Sequence, residues 1–188
     1  TAYWALGLGA PDRVEVDMTE KANPIHTPNG SIVTYKFPAR GKQPAVDVKW
    51  IEGPRLPKAP KGYDWEIKGN GGFIMVGEKG GISHDGMRPN SPRLYPKSRW
   101  ESYRKNANER VPKTLKRVPG IHNDWVNGIR NSEMTVSDFS YSGPLTESII
   151  LGTLAIRTGK GLEWSSEDMK ISGNQEAADL VNVEARKG

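Results

Sequence analysis

Residues 72–86 read GFIMVGEKGGISHDG, and two folds compete for them. Glycines around Lys79, straight after an apolar run, suggest a phosphate-binding loop and with it a parallel sheet whose strands alternate with helices. A loop of that kind needs G-x-x-x-x-G-K-[S/T], because the lysine and the hydroxyl must stand at the start of a helix. Here Gly80-Gly81 follows Lys79, and ISHD then continues as a strand pattern. Strand, glycine-rich bend, strand is what a hairpin requires, with glycine taking the positive-φ positions. The stretch reads as a turn between antiparallel strands.

The segments before it carry the same signature. RVEVDM (13–18), SIVTYKFPA (31–39) and AVDVKWIEG (45–53) alternate apolar and polar residues, as half-buried strands do. Residues 53–64, GPRLPKAPKGYD, hold three prolines and two glycines and read as an exposed excursion. TAYWALGLGAP at the start reads as a helix stopped by Gly9-Ala10-Pro11. After the hairpin, residues 87–120 are polar and proline-punctuated, without a period.

Helices dominate from residue 121 onward. IHNDWVNGIRN (121–131) places Ile121, Trp125 and Ile129 at four-residue spacing, a core stripe by expectation. LTESIILGTLAIRTGK is the clearest helix, preceded by Pro144 and closed by Gly159. LEWSSEDMKIS (162–172) reads as one last strand, and NQEAADLVNVEAR (174–186) as a terminal helix capped by Asn174. Strands first and helices later predict an α+β fold: an open, largely antiparallel sheet with helices on one face. One domain over residues 1–188 is expected.

Composition narrows the function classes. The 188 residues contain no cysteine, which excludes disulfides, thiolate metal sites and cysteine catalysis. No apolar run reaches the roughly 20 residues that cross a bilayer, so no membrane is expected as a partner. The net charge of +5 is uneven: nine Lys/Arg against two Glu between Arg93 and Arg117 give +7 there and −2 elsewhere. Tyr95, Trp100 and Tyr103 interleave with those charges, a pattern that can bind nucleic acid through phosphates and stacking. The plainer reading is a solvated basic arm, and no nucleic-acid motif accompanies it; nucleic acid is not expected as a partner.

No complete catalytic set emerges. His26, His84 and His122 belong to no H-x-x-x-H or H-x-H pair, so no metal site is expected. His84 and Asp85 are adjacent in a strand and point to opposite faces, which favours a turn role over an acid/base pair. His122, in the first turn of its helix after Pro119-Gly120, can point away from the apolar stripe toward a cleft. No G-x-S-x-G elbow and no G-x-G-x-x-G fingerprint occur.

Several stretches together resemble one family. YWALGLGAPDRVEVD, VDVKWIEGPRLPKAP, GGFIMVGEKGGI with SPRLYP, GIHNDWVNGIRN, DFSYSGPLTESIILGTLAIRTGK and LEWSSEDMKISGNQEAADLVNVEARKG are similar, in order, to the C-terminal domain of Gfo/Idh/MocA oxidoreductases. The resemblance implies a dihydrodipicolinate-reductase-like α+β domain that shapes a substrate site and forms homo-oligomer contacts through its sheet. It implies a sugar, inositol or glycoside as substrate, and NAD or NADP as cofactor of the full-length enzyme. The family's dinucleotide turn, its E-K-P lysine and its D-x-G-x-H stretch would lie before Thr1, so this chain is expected to hold no cofactor, no catalytic residue and no activity alone. His122 and Asn123 are the leading substrate-side candidates, with Arg93 and Tyr95 behind them. Trp4, Trp50, Trp125 and Trp164 are read as core or interface positions. The alternative is a stand-alone carbohydrate-binding or assembly module that works through an exposed sheet face.

Overall fold

The structure is a computed structural model and describes residues 1–23, 25–67, 71–89 and 91–181. In chain order it forms helix α1 (Ala2–Ala5) and strands β1 (Arg13–Met18), β2 (Ser31–Phe37) and β3 (Val46–Glu52). Strands β4 (Gly72–Gly77), β5 (Gly80–Asp85) and β6 (Arg93–Tyr95) come next, then helices α2 (Lys97–Lys105), α3 (Ile121–Asn131) and α4 (Phe139–Thr158). Strands β7 (Leu162–Ser165) and β8 (Lys170–Ser172) and helix α5 (Gln175–Val181) complete the described chain. The class is α+β, with antiparallel pairing throughout.

The chain forms two compact units. One comprises Leu56–Val136 with Thr1–Ala2; the other comprises Tyr3–Arg55 with the stretch from Ser137 onward. The strands divide accordingly into two open sheets, ordered β3-β2-β1-β7-β8 and β4-β5-β6.

In the five-stranded sheet the period-2 pattern does the positioning. Val14 of β1, Val33 of β2 and Leu162 of β7 pack in one apolar cluster with Leu151 and Ala155 of α4 and Ala177 of α5. Burying a Val or Leu side chain in this way contributes about 1.5–3 kcal/mol. The intervening residues occupy the opposite face, where Lys36 pairs with Glu15 at 3.7 Å and with Asp47 at 3.2 Å, and Arg13 with Glu15 at 3.2 Å. Helices therefore cover one face and leave a charged one open.

Three boundaries differ from expectation. Helix α4 starts at Phe139, with Asp138 as its cap, and carries Pro144 inside it. Pro144 removes one backbone donor, and the hydroxyls of Thr146 and Ser148 donate to the carbonyls of Ser142 and Pro144 nearby. The last strand is instead a hairpin, because residues 166–169 turn with Met169 at φ 53. Helix α2 forms in the stretch that showed no period; the Asp64 carboxylate accepts from the Lys97 amide at 2.8 Å and so satisfies one donor of its first turn. For the terminal helix, residues 182–186 lie outside the described residues.

In the three-stranded sheet the glycine-rich stretch is a turn. Gly77 pairs with Gly80 across the Glu78-Lys79 link, and Val76 with Gly81, so the stretch closes a hairpin. Gly81 is needed for a packing reason: a Cβ there would collide with the Tyr95 ring. Gly80 holds φ 114, open to glycine.

Candidate binding site

Where β5 ends and β6 begins, Asp85, Gly86, Met87, Arg88, Ser91 and Arg93 line a cleft of about 420 Å³. The loop is pinned at its base by the Gly86 amide, which donates to Gly71 O at 3.0 Å. Trp65 forms an anchor beside it: its indole N–H donates to Leu94 O at 2.9 Å. The Arg93 guanidinium lies 4.9 Å from the Trp65 ring centre, and the Lys97 ammonium 5.1 Å from the same ring. A guanidinium held on an aromatic face keeps its planar edge of N–H donors for a ligand. Among the described residues neither Arg88 nor Arg93 forms an ion pair.

Of the four substrate-side candidates, this cleft contains Arg93 alone. Tyr95 is 1% exposed; its hydroxyl donates to Met75 O at 3.1 Å and its ring meets Tyr63 edge-on at 5.2 Å. Burial, with Tyr63 beside it, pushes its hydroxyl pKa up. That is a packing position. His122 and Asn123 are exposed in the first turn of α3 and do not line the cleft. Arg88 and Ser91 went unnoticed in the sequence, because an irregular loop offers no period to place them.

Helix α3 corrects a further expectation. Ile121, Trp125 and Ile129 do share a stripe, but they are 59%, 62% and 66% exposed. Asp124, on the other side, is 5% exposed and accepts from the Val136 amide at 2.8 Å. The polar hydrogen bond, not the apolar stripe, faces inward. Trp4 and Trp50 are likewise exposed, while Trp164 is buried with its indole N–H on Glu147.

A second, wider cleft of about 720 Å³ lies on the other unit, with Arg13, Lys36, Asp47, Glu163, Asp168 and Lys170 among its lining. Lys36 and Asp47 of this lining already pair with each other, and Arg13 pairs with Glu15 outside it, which leaves these three less to offer a ligand.

No family model matches the chain, and no curated protein or solved structure gives a significant match.

Catalytic groups are sparse in what the structure describes. His84 is buried and stacked on Phe73 at 5.6 Å, with its neighbour Asp85 exposed on the opposite face. Among the described residues no group of three or more His, Cys, Asp or Glu is placed to hold a metal ion. The residues of the Gly77–Gly81 stretch do not fit a dinucleotide, because the turn passes from strand to strand and supplies no helix N-terminus.

Proposed function

We propose that this chain is the substrate-side domain of an NAD(P)-dependent oxidoreductase acting on a sugar, inositol or glycoside hydroxyl. The ordered resemblance to Gfo/Idh/MocA enzymes motivates the reading. The observation that carries it is the one-sided five-stranded antiparallel sheet, with α4 and α5 on one face and an open, ion-paired face opposite. A sheet built this way is suited to meet a second copy across its polar face while loops of the same chain shape a substrate site. The dinucleotide belongs to a separate domain in this reading, so no hydride step involves residues of this chain.

The test is a nicotinamide-reduction assay of the product of the whole reading frame, run with NAD⁺ and NADP⁺ over sugars, inositols and glycosides. Turnover by that product, together with no calorimetric NAD(H) binding by residues 1–188 alone, is the expected result. Tight NAD(H) binding by these residues alone would overturn it. A reading frame that begins at Thr1 would favour the carbohydrate-binding or assembly module.

A further inference from the structure

We infer that the cleft between β5 and β6 binds the anionic group of a small molecule, a carboxylate or a phosphate. What lines the cleft carries the inference, and the choice of sugar-based probes below rests on the proposed function.

Two arginines, Arg88 and Arg93, line this one concavity, and neither is neutralised by an ion pair among the described residues. Arg93 is also held: the Trp65 face lies 4.9 Å away, and Trp65 is itself fixed by its hydrogen bond to Leu94 O. A guanidinium fixed before binding loses less side-chain freedom when a ligand arrives, and its fork matches an oxyanion through two parallel hydrogen bonds. Ser91 adds a hydroxyl, and Lys97, on the same Trp65 ring, adds a third positive charge nearby.

Asp85 is the sole carboxylate of the lining among the described residues. It leaves the cleft with a positive balance, and it can accept hydrogen bonds from hydroxyls next to the bound anion. A divalent cation is disfavoured by the same count, with two arginines facing one carboxylate. The segment that starts at Arg93 and runs to Arg117 carries +7, with Lys116 paired to Glu133 at 3.6 Å, and charge of that sign next to the cleft's Arg93 favours an anion. The cleft then selects those small enough to enter.

The experiment is calorimetric titration of the 188-residue chain with four probes: inorganic phosphate, a hexose monophosphate, a hexonate and the neutral hexose. Saturable binding of the monophosphate or the hexonate, and none of the neutral hexose, is expected; whichever anion binds more tightly identifies the natural group. Arg88→Ala, an exposed position, should weaken that binding about tenfold or more, the effect of losing a charged hydrogen bond. Arg93→Lys, which keeps the charge and loses the fork, should also weaken it, with circular dichroism confirming that the fold is intact. Lys113→Ala removes a charge from the same basic segment outside the cleft and should leave affinity unchanged. Equal binding of the neutral hexose, no saturable binding of either anion, or an equal loss in Lys113→Ala and Arg88→Ala would each overturn the assignment.

Discussion

The Asn174 side-chain amide donates to Thr158 Oγ1 at 2.8 Å, tying the start of α5 to the last turn of α4. The same side chain accepts from the Ala177 amide at 3.1 Å, so one residue caps α5 and anchors it. Asn174→Ala should cost about 1–3 kcal/mol, the sum of a lost cap and a buried hydroxyl left with one partner fewer. Asn174→Asp keeps the cap acceptor, loses the donor and should fall between. Urea denaturation of both variants checks the order.

Asp124 and Trp125 are neighbours with opposite fates, and their substitutions should separate cleanly. Asp124→Ala strands the Val136 amide and should destabilise by about 1–3 kcal/mol. Trp125→Lys alters an exposed position and should stay within about 0.5 kcal/mol. Thermal unfolding measures both, and hydrogen exchange at the Val136 amide should speed up only in the first.

Gly152 of α4 faces the Tyr35 hydroxyl, and a Cβ added there would collide with that oxygen. Helix propensity alone predicts a gain of about 1 kcal/mol for Gly152→Ala. Overpacking costs about 1–3 kcal/mol and should win. In Tyr35→Phe the nearest atom is gone, so the alanine should cost less there. A double-mutant cycle that finds the two substitutions additive would exclude this contact as the cause.

Acidification should loosen the start of α4. The Ser140 hydroxyl and amide both donate to the Asp138 carboxylate and hold its pKa below the usual carboxylate value. Because the folded-state pKa is depressed, its stabilising effect is present above the ordinary carboxylate pKa of about 4 and is lost as pH falls through the lower folded value. The Ser140 amide resonance should report the loss, and Asp138→Asn, which still caps, should remove the pH dependence.

Much of the fold was legible because local pattern and burial agreed. The strands β1 and β2 alternate as their single buried face demands, β3 keeps the alternation while its Trp50 stays exposed, and Gly159 and Asn174 end and begin helices by their own chemistry. Helix α2 was not legible, since the amide of its first residue is satisfied by Asp64, more than thirty positions upstream and across the β4-β5 hairpin. The stripe on α3 misled for a related reason: spacing reveals which residues share a face, whereas Asp124 and Val136 decide which face turns inward. The cleft was legible only through Arg93, because Arg88 and Ser91 come to it by loop geometry and Trp65 by a tertiary hydrogen bond.

Strand order constrains biosynthesis. The neighbour of β1 on one side, β2, follows it immediately, while its neighbour on the other side, β7, is translated near the end of the chain. A nascent polypeptide must therefore carry an unfinished β1 edge while all of Leu56–Val136 emerges from the ribosome. Chains released early would keep that edge adhesive, and ribosome stalling before Leu162 should yield aggregates where stalling after α5 does not.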